Sequence, residues 1–431
     1  MRLPMTPTTR ILASLVLGLL AGIALSEAAP PWLPSLVGIA EPIGNLWLDG
    51  LRMTVIPLVF SLLVTGIAST AKRAMAGRLA MHALLLFIFL MFLSALFGEA
   101  VVGGMLHLWP IPPDAAAAMR AGITAADSAV VPPPNGLAVW LHAILPQNPI
   151  KAAADGDMLP LVVFALIFGF AVARIERVQG PRLSSWFQAV VDALLVIVEW
   201  VILAAPIGVF ALAMVLGARA GVAAAGALAH YIVLLVVVQL LIIALIYPAV
   251  ALFGRVPLRA FARAVAPAQA VATSTQSSLA SLPAMIESCQ ELKVPAPVTA
   301  LVMPMAVSLF RFTGPVANVG VVVYSAALFG VHLTPAQLIA GALLAPLMSL
   351  AAVGLPGQVS FFTSIAPICA VMGVPVGALP LLLAVETIPD IFRTIGNVTA
   401  DVAATAVMAG DRDADGVAVL ADAGPESSPD T

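Results

Sequence analysis

The sequence predicts an all-α polytopic membrane protein, with eight membrane helices and two re-entrant helical hairpins. Three observations carry this. The 431 residues are 61% hydrophobic and 10% charged, with a mean hydropathy of +1.09. Apolar runs near the roughly 20 residues that a spanning helix needs recur along the chain. Two later runs are interrupted at matching places in two halves. A soluble domain averages about 25% charged and 45–50% apolar residues. A chain this apolar cannot cover its surface in water, so lipid is its solvent.

The runs fall at about 11–28, 44–70, 80–108, 158–176, 187–217, 226–253, 297–329, 337–351 and 376–409. Several are long for an upright helix, which implies tilt or kinks. Arg2 and Arg10 flank Ile11–Leu25, a pattern shared by cleaved signal peptides. The apolar character returns at once and continues, so the segment is read as a first membrane helix. Arg2 and Arg10, Lys72, Arg73 and Arg78, Arg174, Arg177 and Arg182, and Arg255, Arg259 and Arg263 cluster in alternate connections. The positive-inside rule puts these clusters and the N-terminus in the cytoplasm. The Ala- and Pro-rich connection 109–157 then lies outside. Residues 410–431, rich in Asp, Gly, Ser and Pro, read as a disordered cytoplasmic tail.

The interrupted segments are the first sign of a site. Residues 264–296 are broken by Thr273-Ser-Thr-Gln-Ser-Ser-Leu-Ala-Ser-Leu-Pro283, and residues 337–371 by Ala352-Val-Gly-Leu-Pro-Gly357. Each break contains Leu-Pro. They fit either two ordinary loops between short helices or two re-entrant hairpins near 258–292 and 334–372. Non-helical backbone at membrane depth has to line a cavity or be buried in protein. A pair of broken segments at corresponding positions marks inverted repeats with a binding site near mid-membrane.

Several function classes are excluded. A net charge of -3 and a pI near 5.9 give no basic face for nucleic acid. Cys289 and Cys369 make neither a disulfide framework nor a zinc site. The histidines, His82, His107, His142, His230 and His332, are scattered, and no nucleophile–base–orienter set is visible, so the chain is not read as an enzyme and needs no cofactor.

The most informative stretch is Asp390-Ile-Phe-Arg-Thr-Ile-Gly-Asn-Val-Thr-Ala-Asp401. Asp390, Arg393, Thr394, Asn397 and Asp401 are spaced i, i+3, i+4, i+7 and i+11, one stripe of a helix. Each ionised group at mid-membrane costs about 2.5–3.5 kcal/mol, so three must face a polar cavity and find partners. Arg393 offers a planar fork that matches a carboxylate. Asp390, one turn away, accepts an ammonium, and Asn397 donates to a second carboxylate. Asp401 supplies a hard oxygen for Na⁺ or a carboxyl that takes a proton. The plain alternative is an internal salt bridge that only holds helices together.

These residues resemble the dicarboxylate/amino acid:cation symporter family, which includes bacterial glutamate transporters. The resemblance covers nearly all of residues 10–409. It shows in Arg52-Met-Thr-Val-Ile-Pro-Leu-Val-Phe60, Leu145-Pro-Gln-Asn-Pro149, Met158-Leu-Pro160 and Ala205-Pro-Ile-Gly-Val-Phe210. It shows also in the two hairpin tips and, residue for residue, in the last-helix stripe. It implies a glutamate-transporter-like elevator fold and a homotrimer in the inner membrane, with both termini cytoplasmic. Residues 1–78 and 137–225 would form a scaffold (trimerisation) domain, and 79–136 and 226–409 a transport domain. By the same resemblance Arg393 binds the distal carboxylate of a small anionic substrate, an acidic amino acid or C4-dicarboxylate, and Asp390 its amino group. Thr394 and Asn397 line the pocket. Backbone at Ser277, Ser278 and Gly354 to Gly357 closes over it. Asn397, Asp401, Ser308, Ser349 and Ala352 are the expected cation-coupling positions, with Asp401 the Na⁺ ligand.

The chain also departs from the family. Where the family has Asn-Met-Asp-Gly-Thr, this chain reads Phe310-Arg-Phe-Thr-Gly314. Positions carrying Na⁺-binding hydroxyls align with Phe87, Leu90 and Met91, and Leu279 replaces a serine at the first tip. A phenyl ring cannot ligate a hard cation. Arg311 sits among these losses. It serves either as a structural partner for a carboxylate or as a tethered cation paired with Asp401 or Asp390. In the second case Na⁺ coupling is weakened or lost in favour of proton coupling through Asp401 or Glu386, or of plain exchange, while Ser308 and the backbone around Ser349–Ala352 still offer a Na⁺ site at the second hairpin. A non-transporting sensor that keeps the pocket is the alternative in another class. A tethered cation predicts that Arg311→Ala restores Na⁺ stimulation of uptake; unchanged transport that stays indifferent to Na⁺ would overturn it.

Overall fold

A computed structural model describes residues 7–74, 78–121, 123, 145–175, 178–351 and 357–410. Among these residues the secondary structure is helical, with no strand. The helices are α1 (Pro7–Ala28), α2 (Leu33–Ala74), α3 (Arg78–Leu108), α4 (Pro113–Ala121), α5 (Pro149–Asp155), α6 (Met158–Arg174), α7 (Gln179–Leu203), α8 (Ala205–Ala220) and α9 (Val222–Phe253). They continue as α10 (Leu258–Thr275), α11 (Leu282–Glu291), α12 (Ala296–Leu309), α13 (Thr313–Phe329), α14 (Pro335–Ala351), α15 (Gly357–Met372), α16 (Leu379–Val385) and α17 (Thr387–Gly410).

Six segments of the described residues are long and apolar enough to cross a membrane: Arg10–Ala28, Leu33–Ser69, Leu79–Leu108, Gln179–Leu203, Ala225–Phe253 and Ala296–Phe329. Two helices counted as spans from the sequence are not among them. The apolar part of α6, Pro160–Arg174, is too short, and α17 carries the charged stripe. The connection 109–157 holds the short helices α4 and α5. The tip residues 352–356, including Ala352 and Gly354, and the tail from 411 onward lie outside the described residues.

Three apolar runs that look continuous are broken, and a proline explains each break. The run 187–217 stops at Ala204, 297–329 at Phe310–Phe312, and 376–409 at Glu386. Pro206, Pro315 and Pro389 follow within the first turn of the next helix. A proline there lacks an N–H that the first turn would leave unpaired anyway, but its ring clashes with the carbonyl four residues back. The chain therefore restarts as a new helix. Pro42, Pro57 and Pro248 instead sit inside unbroken helices, which membrane packing tolerates.

The chain divides into two compact units. The first, residues 1–239 and 312–393, packs α1 along α8, α2 against α6, α7 and α8, and α3 against α13 and α14. Small residues allow the closest of these approaches. A Cβ on Gly22 would lie 2.2 Å from the Met214 carbonyl oxygen, and one on Gly217 2.5 Å from that of Leu19. With Gly18 this makes a Gly-x-x-x-Gly face, the means by which membrane helices bring backbones into contact. Trp47 fills the space above Gly208 and donates from Nε1 to the Val201 carbonyl at 2.9 Å. Phe60, Phe164, Phe168 and Phe187 stack between α2, α6 and α7. Leu17, Leu20, Leu46, Phe89 and Trp200 remain exposed, as lipid-facing residues do.

The second unit, residues 240–311 and 394–431, contains the end of α9, the pair α10 and α11, α12, and the C-terminal part of α17. Helices α10 and α11 pack on one another, so the first interrupted segment is a helical hairpin. Its turn opens at Gln276 with φ 51° and closes through the Ser281 hydroxyl, which donates to the Ser277 carbonyl at 3.0 Å. Helices α14 and α15 of the first unit likewise pack together.

The α1/α8 contact gives a direct test. Gly22→Ala and Gly217→Ala force backbones apart and should each destabilise the detergent-purified protein by about 1–3 kcal/mol, the usual cost of overpacking. Gly38→Ala, where a Cβ meets nothing within 4 Å, should leave the thermal midpoint unchanged.

Candidate functional site

Helix α17 runs unbroken through the charged stretch, so Asp390, Arg393, Thr394, Asn397 and Asp401 hold the single-stripe spacing expected of them. Arg393, Thr394, Asn397 and Asp401 are all buried, and the Asp390 side chain is 17% exposed.

In the first unit the centre is Arg393. Its Nη2 donates to Glu386 Oε1, and its Nη1 lies 3.3 Å from Asp390 Oδ1. Glu386 is 3% exposed, and its second oxygen accepts from the Tyr231 hydroxyl at 2.9 Å. Thr313 at the start of α13 donates to the Arg393 carbonyl at 2.7 Å. The Arg393 Nε–H has no hydrogen-bond partner among the described residues. One guanidinium thus serves two carboxylates, and a buried donor remains for a ligand. Fully ionised, the three groups carry one net negative charge.

Glu386 keeps helical backbone angles, φ -60° and ψ -23°, and lies seven residues before Arg393, which puts it on the same helical face. It joins α16 to α17, and its carbonyl accepts the Asp390 N–H at 2.9 Å. The adjoining α16 is buried and apolar throughout. Tyr231 sits on α9 with its ring 5.1 Å from that of Tyr324. Tyr324 in turn donates to the Ala227 carbonyl. Ser349, on α14, is buried, and its hydroxyl has no hydrogen-bond partner among the described residues. Gly357 opens α15.

In the second unit the polar residues gather about the end of the stripe. Gln269 on α10 donates to Thr399 Oγ1 at 2.8 Å and to the Tyr247 hydroxyl at 3.0 Å. Asp401 is 1% exposed, and neither carboxyl oxygen has a hydrogen-bond partner among the described residues. Arg311 is a charge that acts on it. Two bare, buried oxygens suit a hard cation or a proton, whereas Phe310, 2% exposed, contributes no ligand. Ser308 donates back to the Pro304 carbonyl of its own helix. Ser277 and Ser278 lie half-buried in the α10–α11 turn.

With this geometry in view, comparison with known proteins is decisive. The chain matches the description "Sodium:dicarboxylate symporter family" over residues 8–410. The chain belongs to the sodium:dicarboxylate symporter family. Relatives in that family include the C4-dicarboxylate transport protein of Azorhizobium caulinodans, 27% identical over 411 residues, covering 93% of this chain and 87% of the relative. The proton/glutamate-aspartate symporter of Escherichia coli is 27% identical over 410 residues, with 93% and 91% covered. The proton/sodium-glutamate symport protein of Bacillus caldotenax is 26% identical over 404 residues, with 93% of each covered. As a member of a symporter family the chain is a multi-pass membrane transporter and not an enzyme.

Sequence reasoning missed Tyr231, Thr313, Gln269 and Thr399, whose roles depend on which helices meet. It also passed over Glu99, 7% exposed on α3, which stands out as an acid inside an apolar run. The Arg393 cluster makes a stability prediction. Arg393→Ala leaves Glu386 and Asp390 without their cation and should cost about 3–5 kcal/mol, as breaking a buried ion pair does. Adding Glu386→Gln to Arg393→Ala should recover part of that loss in thermal unfolding.

Proposed function

We propose that this chain is a secondary active carrier that moves an acidic amino acid or a C4-dicarboxylate across the inner membrane, coupled to entry of H⁺ or Na⁺. The observation that carries the reading is the buried Arg393 guanidinium, which keeps a donor unpaired between two carboxylates. A planar fork of this kind recognises a carboxylate with two parallel hydrogen bonds. Arg393 takes the substrate's distal carboxylate, and Asp390 takes its ammonium. Thr394 and Asn397 line the pocket, and the tips at Ser277, Ser278, Gly354 and Gly357 close it. A dicarboxylate would leave Asp390 beside an anion with no ammonium to accept, which favours aspartate or glutamate over succinate.

The transport domain, residues 79–136 and 226–409, moves against a scaffold of 1–78 and 137–225 in a homotrimer, with both termini cytoplasmic. The elevator movement and the trimer rest on the family resemblance. Asn397, Asp401, Ser308, Ser349 and Ala352 remain the candidate cation positions. Protons are favoured over Na⁺, because Phe87, Leu90, Met91, Phe310 and Phe312 stand where oxygen ligands are needed. The action of Arg311 on Asp401 supports the tethered-cation reading, in which Arg311 substitutes for a transported cation. A sensor without transport is disfavoured by membership of a symporter family.

Uptake of labelled aspartate, glutamate and succinate into proteoliposomes tests this. Accumulation driven by an interior-alkaline pH gradient is the expected result, with aspartate or glutamate preferred. Accumulation driven only by Na⁺ would overturn proton coupling, and accumulation of none of the three acids would overturn the substrate reading.

A further inference from the structure

The geometry points to Glu386 as an internal competitor for the substrate: its carboxylate holds Arg393 when the pocket is empty, and it takes up a proton when a substrate carboxylate displaces it. This inference rests on the substrate reading above and assigns the proton that reading leaves unplaced.

Three observations support it. First, Glu386 is bound as a substrate carboxylate would be, with one oxygen on the Arg393 fork and the other on the Tyr231 hydroxyl. Second, Glu386 is 3% exposed and adjoins the apolar α16. A substrate carboxylate that takes the Arg393 fork leaves this buried carboxylate without the cation that answered it. A proton on Glu386 removes the stranded charge. Third, the surroundings suit a proton better than a metal ion. The neighbouring α16 is apolar from Leu379 to Val385, so a hard cation that needs several oxygens finds few. A protonated carboxyl needs only one acceptor, and the Tyr231 oxygen is in place.

The charged and titratable groups that act on Glu386 are Arg393 and Asp390 from α17 and Tyr231 from α9. Tyr324, packed on Tyr231, gives its hydroxyl to the Ala227 carbonyl. The step balances. A proton from the aqueous phase adds to a Glu386 oxygen, the Arg393 hydrogen bond passes from Glu386 to the substrate carboxylate, and Arg393 keeps its charge. Release on the other side reverses both transfers, so one proton crosses with each substrate. The Asp390 carboxylate, 3.3 Å from Arg393 Nη1, takes the substrate's ammonium.

Titration calorimetry on the full chain in detergent, with aspartate, glutamate and succinate from about pH 5 to about pH 8, tests the proposal. Buffers that differ in heat of ionisation report the protons taken up. The wild type should take up one proton per substrate near neutral pH and lose affinity by up to about tenfold per pH unit. Glu386→Gln should bind with no proton uptake and a flat pH dependence, and an interior-alkaline gradient should no longer drive its accumulation. Proton uptake that persists in Glu386→Gln, or wild-type binding without a proton, overturns the inference while leaving the substrate reading intact. A wild type that binds none of the three acids overturns both. If Glu386→Gln fails to bind, Tyr231→Phe decides: a displaced pH profile supports the proposal, and an unmoved one sinks it.

Discussion

A buried guanidinium in a membrane protein has to be answered by carboxylates, and that constraint organises the first unit. Arg393 is 3% exposed. No water in the hydrocarbon core can satisfy its donors, and leaving it alone would cost several kcal/mol. Glu386 and Asp390 answer it from one chain segment, and Tyr231 and Thr313 hold the carboxylate and the backbone from other helices. Such a pair adds little net stability over an apolar core. On the proposed reading the site binds and releases a carboxylate, which calls for an ion pair that another anion can replace.

Proline marks where the helices around this ion pair restart. Pro389 cannot donate to the Val385 carbonyl, and the helix restarts after Glu386. The restart puts Glu386 at a junction, seven residues before Arg393 in the chain. Pro315 does the same for Phe310–Phe312 and places Arg311 in a non-helical step. At both junctions a charged residue, Glu386 or Arg311, lies in the break. Backbone breaks and charge therefore coincide, which membrane proteins permit only where protein or a cavity shields the freed groups.

The membrane class, the helical content and the stripe from Asp390 to Asp401 were legible in the sequence, because they follow from hydropathy and from helical spacing alone; the first interruption fitted a loop or a hairpin, and the packing of α10 on α11 decides for the hairpin. The breaks were less so. Hydropathy carries a run across Ala204 and Glu386 without a mark, and only the prolines two or three residues later betray the restart. Partners across helices were not legible. Asp390 is the acid that i, i+3 spacing pairs with Arg393, yet Glu386, seven residues before Arg393 on the same helical face, shares the fork with it. Tyr231 and Gln269 lie far from their partners in sequence, and nothing in their local pattern distinguishes them from packing residues.

The two acidic centres differ in a way that bears on coupling. Asp401 has the fixed charge of Arg311 acting on it. On the tethered-cation reading, that charge belongs to the protein in every step of the cycle. It lowers the cost of burying the carboxylate but cannot draw energy from a gradient, because nothing is taken from one side and left on the other. On the Glu386 proposal, a substrate carboxylate takes the Arg393 fork and leaves Glu386 in need of a proton. That proton is drawn from one side and left on the other, so its gradient does work on each cycle. On the two proposals together, coupling runs through the Arg393 cluster, and the charge of Arg311 beside Asp401 stays with the protein throughout.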